Sequence, residues 1–126
     1  MITGGNTCVV IAAEEDPCVA IAFAEIVATS DVPAGAINIL TGRVTELAPH
    51  LAAHSDVNAL DLTGASAELQ ESLEQAAAET VKRVYVPKRV PDFSAAPGTA
   101  RLRAFLEIKT VWHPTGALSL SGGTAY

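Results

Sequence analysis

Aromatic residues and cysteines are scarce in this sequence of 126 residues, although 49% of it is hydrophobic. With six aromatic side chains, the core has to be built from aliphatic residues. The two cysteines, Cys8 and Cys18, lack the spacing of a CxxC redox pair or of half a zinc site. A chain of this length buries enough surface to fold as one domain without disulfides. We therefore predict a single core and two reduced thiols in a cytoplasmic protein.

Long apolar runs are also missing. The longest, residues 17–32, contains Glu25 and Asp31 and is shorter than the roughly 20 residues that cross a bilayer. The first residues lack the basic start and the apolar stretch of a signal peptide. The sequence therefore predicts no membrane span, no membrane partner and no export by this route.

Basic residues are nearly absent from residues 1–81, which hold twelve acids and one base, Arg43. Residues 82–126 hold seven bases and two acids. The bases of residues 82–89 alternate with apolar residues and lack aromatics spaced to stack on nucleobases. Complementary charge within a fold or an oligomer is the simpler explanation, so we predict no nucleic-acid partner.

Short apolar runs alternate with helical patterns along the first 86 residues. A run of five apolar residues or fewer is too short for a helix and indicates a strand, and the first is expected to be buried on both faces. The runs are residues 8–12, 36–40, 58–62 and 83–86. This order predicts an α/β fold, a Rossmann-like parallel sheet with flanking helices built from right-handed βαβ units.

The intervening helices have recognisable starts. Asp16 is the expected N-cap of the first, with Pro17 in its first position, and the apolar body of that helix predicts that most of its surface is covered. The second is expected at about residues 45–54, with Pro49 near its first turn. Ser66 is the expected cap of the third, which continues to about Thr80.

The rest of the chain differs in composition. Residues 1–86 are assigned to the α/β domain, and the proline-rich residues 87–104 are predicted to be a linker. Residues 105–113 alternate with period two and predict a β-strand with one buried face, suited to a sheet edge or a subunit contact. Residues 114–126 are rich in glycine, serine and threonine and predict a flexible tail.

A leucine-threonine-glycine tripeptide occurs twice, at residues 40–42 and 62–64, each time between a strand and a helix. Glycine there permits close backbone approach, and the following helix presents unpaired N–H groups to an anion. The same turns also need glycine without any ligand, so the spacing leaves both interpretations open. A complete G-x-G-x-x-G motif is absent.

His50 and His54 have the i, i+4 spacing of two metal ligands on one helix face. No third ligand accompanies them in the sequence, and the H-E-x-x-H pattern is absent. We therefore predict no metal site and interpret both side chains as part of a solvated helix end.

A series of motifs resembles the NAD(P)-binding domain of the aldehyde dehydrogenase superfamily. They are Gly5-Asn6-Thr7, Ala13-Glu14 followed by Pro17, the stretch 32–42, residues 53–57 and Leu62-Thr63-Gly64, in that order. Residues 105–112 are similar to the C-terminal strand that these enzymes use for subunit association. The resemblance implies an oxidoreductase class, NAD or NADP as cofactor, and cofactor contacts at Glu14, Gly42, Thr63 and Gly64.

Several positions depart from the family pattern. Ile11 stands at the position of a lysine that holds the adenosine ribose together with the glutamate. Val44 replaces a second glycine, Ala65 replaces a serine, and Leu69 replaces a further glycine. These departures imply dinucleotide binding that is weak or lost.

The catalytic groups of the family have no counterpart in this chain. The nucleophilic cysteine does not align with Cys8 or Cys18, and Pro87 stands at the position of the general-base glutamate. The oxyanion asparagine would precede Met1. We therefore assign no catalytic residue and expect a truncated, catalytically incompetent aldehyde dehydrogenase-like protein. The alternative is an oligomerisation or regulatory module that uses the strand at 105–113 to form a homo-oligomer, or a hetero-oligomer with an aldehyde dehydrogenase.

Overall fold

A computed structural model of the chain describes residues 1–89, 91–96 and 98–112. Four short strands and four helices follow one another. After a single 3-10 turn at Ile2–Gly4 come β1 (Cys8–Ile11), α1 (Pro17–Ala28), β2 (Ile37–Leu40), α2 (Val44–Ala53), β3 (Ala59–Asp61), α3 (Ala67–Ala78), β4 (Arg83–Tyr85) and α4 (Thr99–Ala104). The alternation predicted for residues 1–86 is confirmed.

The strands form two parallel pairs. β1 pairs with β2, with Cys8 opposite Ile37, and β3 pairs with β4, with Ala59 opposite Arg83. The sequence predicted one parallel sheet, whereas in the described residues each sheet has two strands. Both pairs have the parallel βαβ arrangement expected for part of a nucleotide-binding domain.

The core lies where α2 and α3 pack against each other. Its buried residues are small or aliphatic, because small side chains let the two helices approach closely. Partly buried side chains of β1, β3 and β4 pack against this centre. The central residues are Ala48, Ala52, Leu62 and Leu73.

Helix starts follow the predicted signals with one difference. Ser66 caps α3, and its hydroxyl accepts a hydrogen bond from the Leu69 N–H at 3.3 Å. Pro17 occupies the first turn of α1 after Asp16, but the Asp16 side chain makes no capping hydrogen bond. Pro49 lies inside α2.

The prediction that α1 and β1 are thoroughly covered is wrong for the described part of the chain. No residue of α1 is buried there, and Val9 and Val10 of β1 are exposed. The physical reason is the small size of each sheet. Two strands with one crossover helix offer too little surface to cover an apolar helix on several sides.

Part of the region predicted to be a linker is helical. Within residues 87–104, where a linker was predicted, the structure contains α4. Phe105 ends this helix and is 6% exposed, and residues 106–112 belong to no strand among the described residues. A strand needs a neighbouring strand to complete its backbone hydrogen bonds, and these residues have none in the described chain. His113 and the predicted tail lie outside the described residues.

Candidate functional site

Glu14 and Gly42, two of the four predicted cofactor contacts, lie together in one cleft. Its volume is about 290 Å³, and Ala13, Pro17 and Arg43 also line it. The cleft is formed by the loops that follow β1 and β2, at the carboxyl ends of two paired parallel strands. Ligands of open α/β sheets bind at this kind of edge.

The Glu14 carboxylate is already engaged with the protein backbone. Its Oε1 atom accepts a hydrogen bond from the Val44 N–H at 2.6 Å, at the first residue of α2. A carboxylate near a helix N-terminus satisfies an unpaired donor and interacts favourably with the helix dipole. Glu14 therefore links the loop after β1 to α2, while its side chain remains exposed.

Gly42 has a backbone that favours glycine. Its φ angle is +150°, and a Cβ atom at this position would lie 3.1 Å from Cδ1 of Leu47. Glycine lacks a Cβ atom, so it adopts this φ angle without strain and leaves room for the Leu47 side chain. The chain can therefore turn sharply between β2 and α2. The turn presents the start of α2 to the cleft.

Arg43 is the cation among the residues that line the cleft. Its guanidinium forms an ion pair with Glu46 at 3.3 Å, and both side chains are highly exposed. Such exposed pairs contribute little to stability, so an anionic group can compete for Arg43.

Thr63 and Gly64, the other two predicted contacts, do not line this cleft. The Thr63 N–H and hydroxyl donate to Oδ1 of Asp61 at 3.0 and 2.5 Å. Gly64 follows with φ +88°, which permits the turn after β3. The structure thus separates the predicted contacts into two pairs, Glu14 and Gly42 in the loops after β1 and β2, and Thr63 and Gly64 after β3.

The second pair lies beside an ion pair that the sequence did not predict. Nη2 of Arg101, on α4, donates to Oδ2 of Asp61 at 2.8 Å. The Arg101 guanidinium carbon also lies 5.8 Å from the ring centre of Tyr85 and 5.6 Å from that of Phe93. The feature of the sequence that could have indicated this ion pair was Asp61, a charged residue between two leucines in a predicted strand. Nothing in the composition of residues 87–104 pointed to Arg101.

Two opposing effects act on the Asp61 carboxyl group. Partial burial raises its pKa, but hydrogen bonds from Thr63 and Arg101 and the positive charge of Arg101 together outweigh burial. The pKa of Asp61 is therefore below its ordinary value. A neighbouring cavity of about 500 Å³ is lined by Asp61 and Arg101 together with Met1, Thr3, Thr99 and Phe105.

The paired histidines do not form a metal centre with other ligands in the described residues, where no group of three or more metal-ligating side chains is found. Nδ1 of His54 accepts a hydrogen bond from the Asp56 N–H at 3.2 Å. The His54 carbonyl also accepts a hydrogen bond from the Lys82 ammonium group. Among the described helices, none is long and apolar enough to cross a membrane.

Comparison with known proteins settles the family. The model of the aldehyde dehydrogenase family matches residues 1–87. The chain belongs to the aldehyde dehydrogenase family. This match contains both Thr-Gly turns and the Glu14 cleft, and it ends before α4.

Related proteins agree with this match, although the aligned part is a small share of their length. Hydroxyisobutyraldehyde dehydrogenase of Mycolicibacterium austroafricanum is 44% identical over 62 residues, which are 49% of this chain and 12% of that protein. Cytosolic 10-formyltetrahydrofolate dehydrogenase of Xenopus laevis is 34% identical over 83 residues, 66% of this chain and 9% of that protein. The chain therefore spans about a tenth of the length of these relatives.

A solved structure supports the fold. The crystal structure of an aldehyde dehydrogenase from Bartonella henselae superposes with a TM-score of 0.58 at 32% identity. The superposition covers 62% of this chain and 16% of the Bartonella chain. The α/β fold predicted from the strand and helix pattern is thus confirmed as part of an aldehyde dehydrogenase.

Proposed function

We propose that this chain binds NAD or NADP weakly through the cleft at Glu14 and Gly42 and does not oxidise aldehydes by itself. The observation that carries the proposal is that these two residues line one cleft at the carboxyl ends of β1 and β2. NAD and NADP are the cofactors of family members. A bound nicotinamide group would supply a hydride acceptor.

The cleft suits the sugar of a nucleotide better than its phosphates. The Glu14 carboxylate accepts hydrogen bonds from hydroxyl groups, which are donors on a ribose. Ile11, at the position of the family's lysine, offers no charge, so Arg43 has to supply the attraction for a phosphate. Because Glu14 also holds the Val44 N–H, ribose hydroxyls would share its oxygens with the backbone. A dissociation constant of about 1 mM is the expected consequence.

Catalytic incompetence follows from the absence of the reacting groups. Aldehyde oxidation needs a thiolate that attacks the carbonyl and a base that activates water. Cys8 lies within β1 and Cys18 in the first turn of α1, and neither lines the Glu14 cleft. The proposed place of action is the cytosol, a location that the name of the Xenopus laevis relative gives for that protein.

Calorimetric titration with NAD and with NADP tests the proposal. We expect weak saturable binding that the Glu14→Gln variant weakens about fivefold or more, because a neutral amide is a poorer partner for ribose hydroxyls. Glu15→Gln is the matched control and should bind like the wild type. No heat at millimolar ligand, or equal affinity in the Glu14→Gln variant, would contradict binding in this cleft. Formation of NADH from an aldehyde by the purified chain would contradict incompetence.

A second candidate function is association through residues 105–113. Apolar and charged side chains alternate along residues 106–109. The ammonium group of Lys109 lies 3.7 Å from the Glu107 carboxylate. Among the described residues this segment has no strand partner, so the backbone groups of residues 107–112 are available to another sheet. The partner would be a second copy or an aldehyde dehydrogenase. Light scattering of the chain alone and mixed with such an enzyme tests this function, and a constant monomer mass in both would exclude it.

A further inference from the structure

The cavity beside the Asp61–Arg101 ion pair lies at the carboxyl end of β3, next to α4. Its volume is about 500 Å³, within the range of roughly 300–1,000 Å³ that is usual for small-molecule sites. Among the described residues, none that lines it also lines the Glu14 cleft. We call it the α4 cavity, and its lining includes Met1, Asp61, Gly98, Arg101, Leu102 and Phe105.

Two opposite charges lie side by side in the wall of the α4 cavity. Nη2 of Arg101 donates to Oδ2 of Asp61 at 2.8 Å, and the two side chains are 38% and 13% exposed. The pKa of Asp61 lies below its ordinary value, so its carboxylate is ionised at neutral pH. The two side-chain charges therefore cancel each other, and the pair does not attract anions over cations.

Both groups of the ion pair can form further hydrogen bonds. Arg101 uses Nη2 for Asp61 and for the Thr63 hydroxyl, and in the described part of the chain its Nε and Nη1 atoms make no hydrogen bond. Oδ1 of Asp61 accepts both hydrogen bonds from Thr63, whereas Oδ2 accepts the one from Arg101. A carboxylate oxygen can accept more than one donor. A ligand can thus accept from the guanidinium group and donate to Oδ2 at the same time.

Two aromatic rings help to hold the guanidinium group in place. Its carbon lies 5.8 Å from the ring centre of Tyr85 and 5.6 Å from that of Phe93, which are cation–π distances. The ion pair with Asp61 restrains the same group from another direction. A binding group that is ordered before the ligand arrives loses less conformational freedom on binding.

Apolar side chains line the cavity beside the charges. Met1 and Leu102 are 40% and 38% exposed, and Phe105 is 6% exposed. An apolar group in the cavity would cover the exposed surface of Met1 and Leu102, which is favourable in water. The lining therefore combines a neutral pair of charges with a surface that an apolar group can cover.

We propose that the α4 cavity binds a free α-amino acid with an apolar side chain. The carboxylate of the ligand accepts hydrogen bonds from Nε and Nη1 of Arg101, and its ammonium group donates to Oδ2 of Asp61. The two ligand charges are attached to one carbon atom, so they lie side by side like the charges of the ion pair. The side chain of the ligand packs against Met1 and Leu102.

Charge favours such a zwitterion over an anion or a cation. A simple carboxylate or a phosphate is attracted by Arg101 and repelled by Asp61 at a similar distance, and the two effects largely cancel. A simple amine is in the reverse position. A zwitterion places an opposite charge against each group, and both contacts are charge-assisted hydrogen bonds.

A two-dimensional NMR titration of the full chain with L-leucine tests the proposal. We expect saturable shifts of the amide signals of Thr63 and Leu102, with a dissociation constant of about 1 mM. Isocaproate lacks the ammonium group of leucine, and isoamylamine lacks its carboxylate. Each should bind about tenfold or more weakly, because it leaves one charge of the pair unmatched. These titrations use the wild type, so their result does not depend on the folding of a variant.

Two variants locate the ligand. A Cβ atom at Gly98 would meet no heavy atom of the described residues within 4 Å, and the φ angle of −73° suits any residue. Gly98→Leu should therefore fill part of the cavity and weaken binding of L-leucine about tenfold or more. Arg101→Lys keeps the charge but loses the planar arrangement of donors, and a similar loss is expected. Arg103→Lys, at an exposed residue of the same helix, is the control and should bind like the wild type.

Three results would overturn the proposal. The first is the absence of saturable shifts at Thr63 and Leu102. The second is isocaproate or isoamylamine binding as tightly as L-leucine, which would show that the cavity does not recognise a zwitterion. The third is unchanged affinity in Gly98→Leu or Arg101→Lys when circular dichroism shows that the variant keeps the helical content of the wild type.

Discussion

Arg101 and Asp61, forty residues apart in sequence, are joined by a hydrogen-bonded ion pair of 2.8 Å. The pair connects α4 to the end of β3, next to the turn of Thr63 and Gly64. Phe105 adds to this connection, because its ring centre lies 5.7 Å from that of Tyr85 on β4. The Asn6 side chain donates to the Phe105 carbonyl at 3.1 Å. These contacts therefore hold Arg101 and Phe105, which follow the family match, against residues inside it.

Replacing Arg101 by methionine should lower the free energy of unfolding by about 1–2 kcal/mol, since it removes the charged hydrogen bond of the partly exposed ion pair with Asp61. Denaturant titration measures the change. Arg103→Met, on the same helix and exposed, is the matched control and should change stability by less than about 0.5 kcal/mol. Equal effects of the two variants would show that the pair with Asp61 is not what holds α4.

The lowered pKa of Asp61 predicts a specific pH dependence. A carboxyl group whose pKa is lower in the folded state stabilises that state at pH values above its ordinary pKa, here 3.8. This stability is lost as the pH falls through the pKa of the folded state. Asp61→Asn removes the titration, so the wild type should exceed the variant in stability at pH 7, and the difference should shrink in acid. Thermal unfolding at several pH values measures it. A difference that does not depend on pH would rule out the ionised carboxylate as the cause.

Val81 offers a stabilising substitution. It follows α3 with φ +55°, a left-handed conformation that costs a β-branched residue energy, and its side chain is 90% exposed. Val81→Gly should raise the free energy of unfolding by about 1 kcal/mol, because glycine adopts this conformation without strain. Val81→Ala, which keeps a Cβ atom, should gain less. A loss of stability in the glycine variant would contradict strain at this position.

The two thiols should differ in reactivity. Partial burial raises the pKa of Cys8, and the nearby N-terminal ammonium group offsets only part of that increase, whereas Cys18 is exposed. Since the thiolate is the reactive form, Cys18 should react with Ellman's reagent faster than Cys8 at pH 8. The Cys18→Ser variant should lose the fast phase and keep the slow one. Loss of the slow phase instead would reverse the assignment.

The sequence predicted the local elements of residues 1–86 well. Proline at the start of α1, serine before α3 and short apolar runs for the strands each act within a few residues, so their physical effect is visible in the sequence. The family's motifs led to Glu14 and Gly42, which the fold brings into one cleft. They did not show that the Glu14 carboxylate also holds the Val44 N–H, because that contact joins residues thirty positions apart.

What the sequence determined by itself is the alternation of strands and helices, the family, and the placement of Gly42 and Gly64 at turns. These features depend on backbone preferences and on patterns with a fixed period. The tertiary structure alone decided that the strands form two separate pairs, that α1 keeps apolar side chains exposed, and that Arg101 pairs with Asp61. Each of these outcomes depends on which surfaces are close enough to bury one another, and proximity between distant residues arises only when the chain has folded.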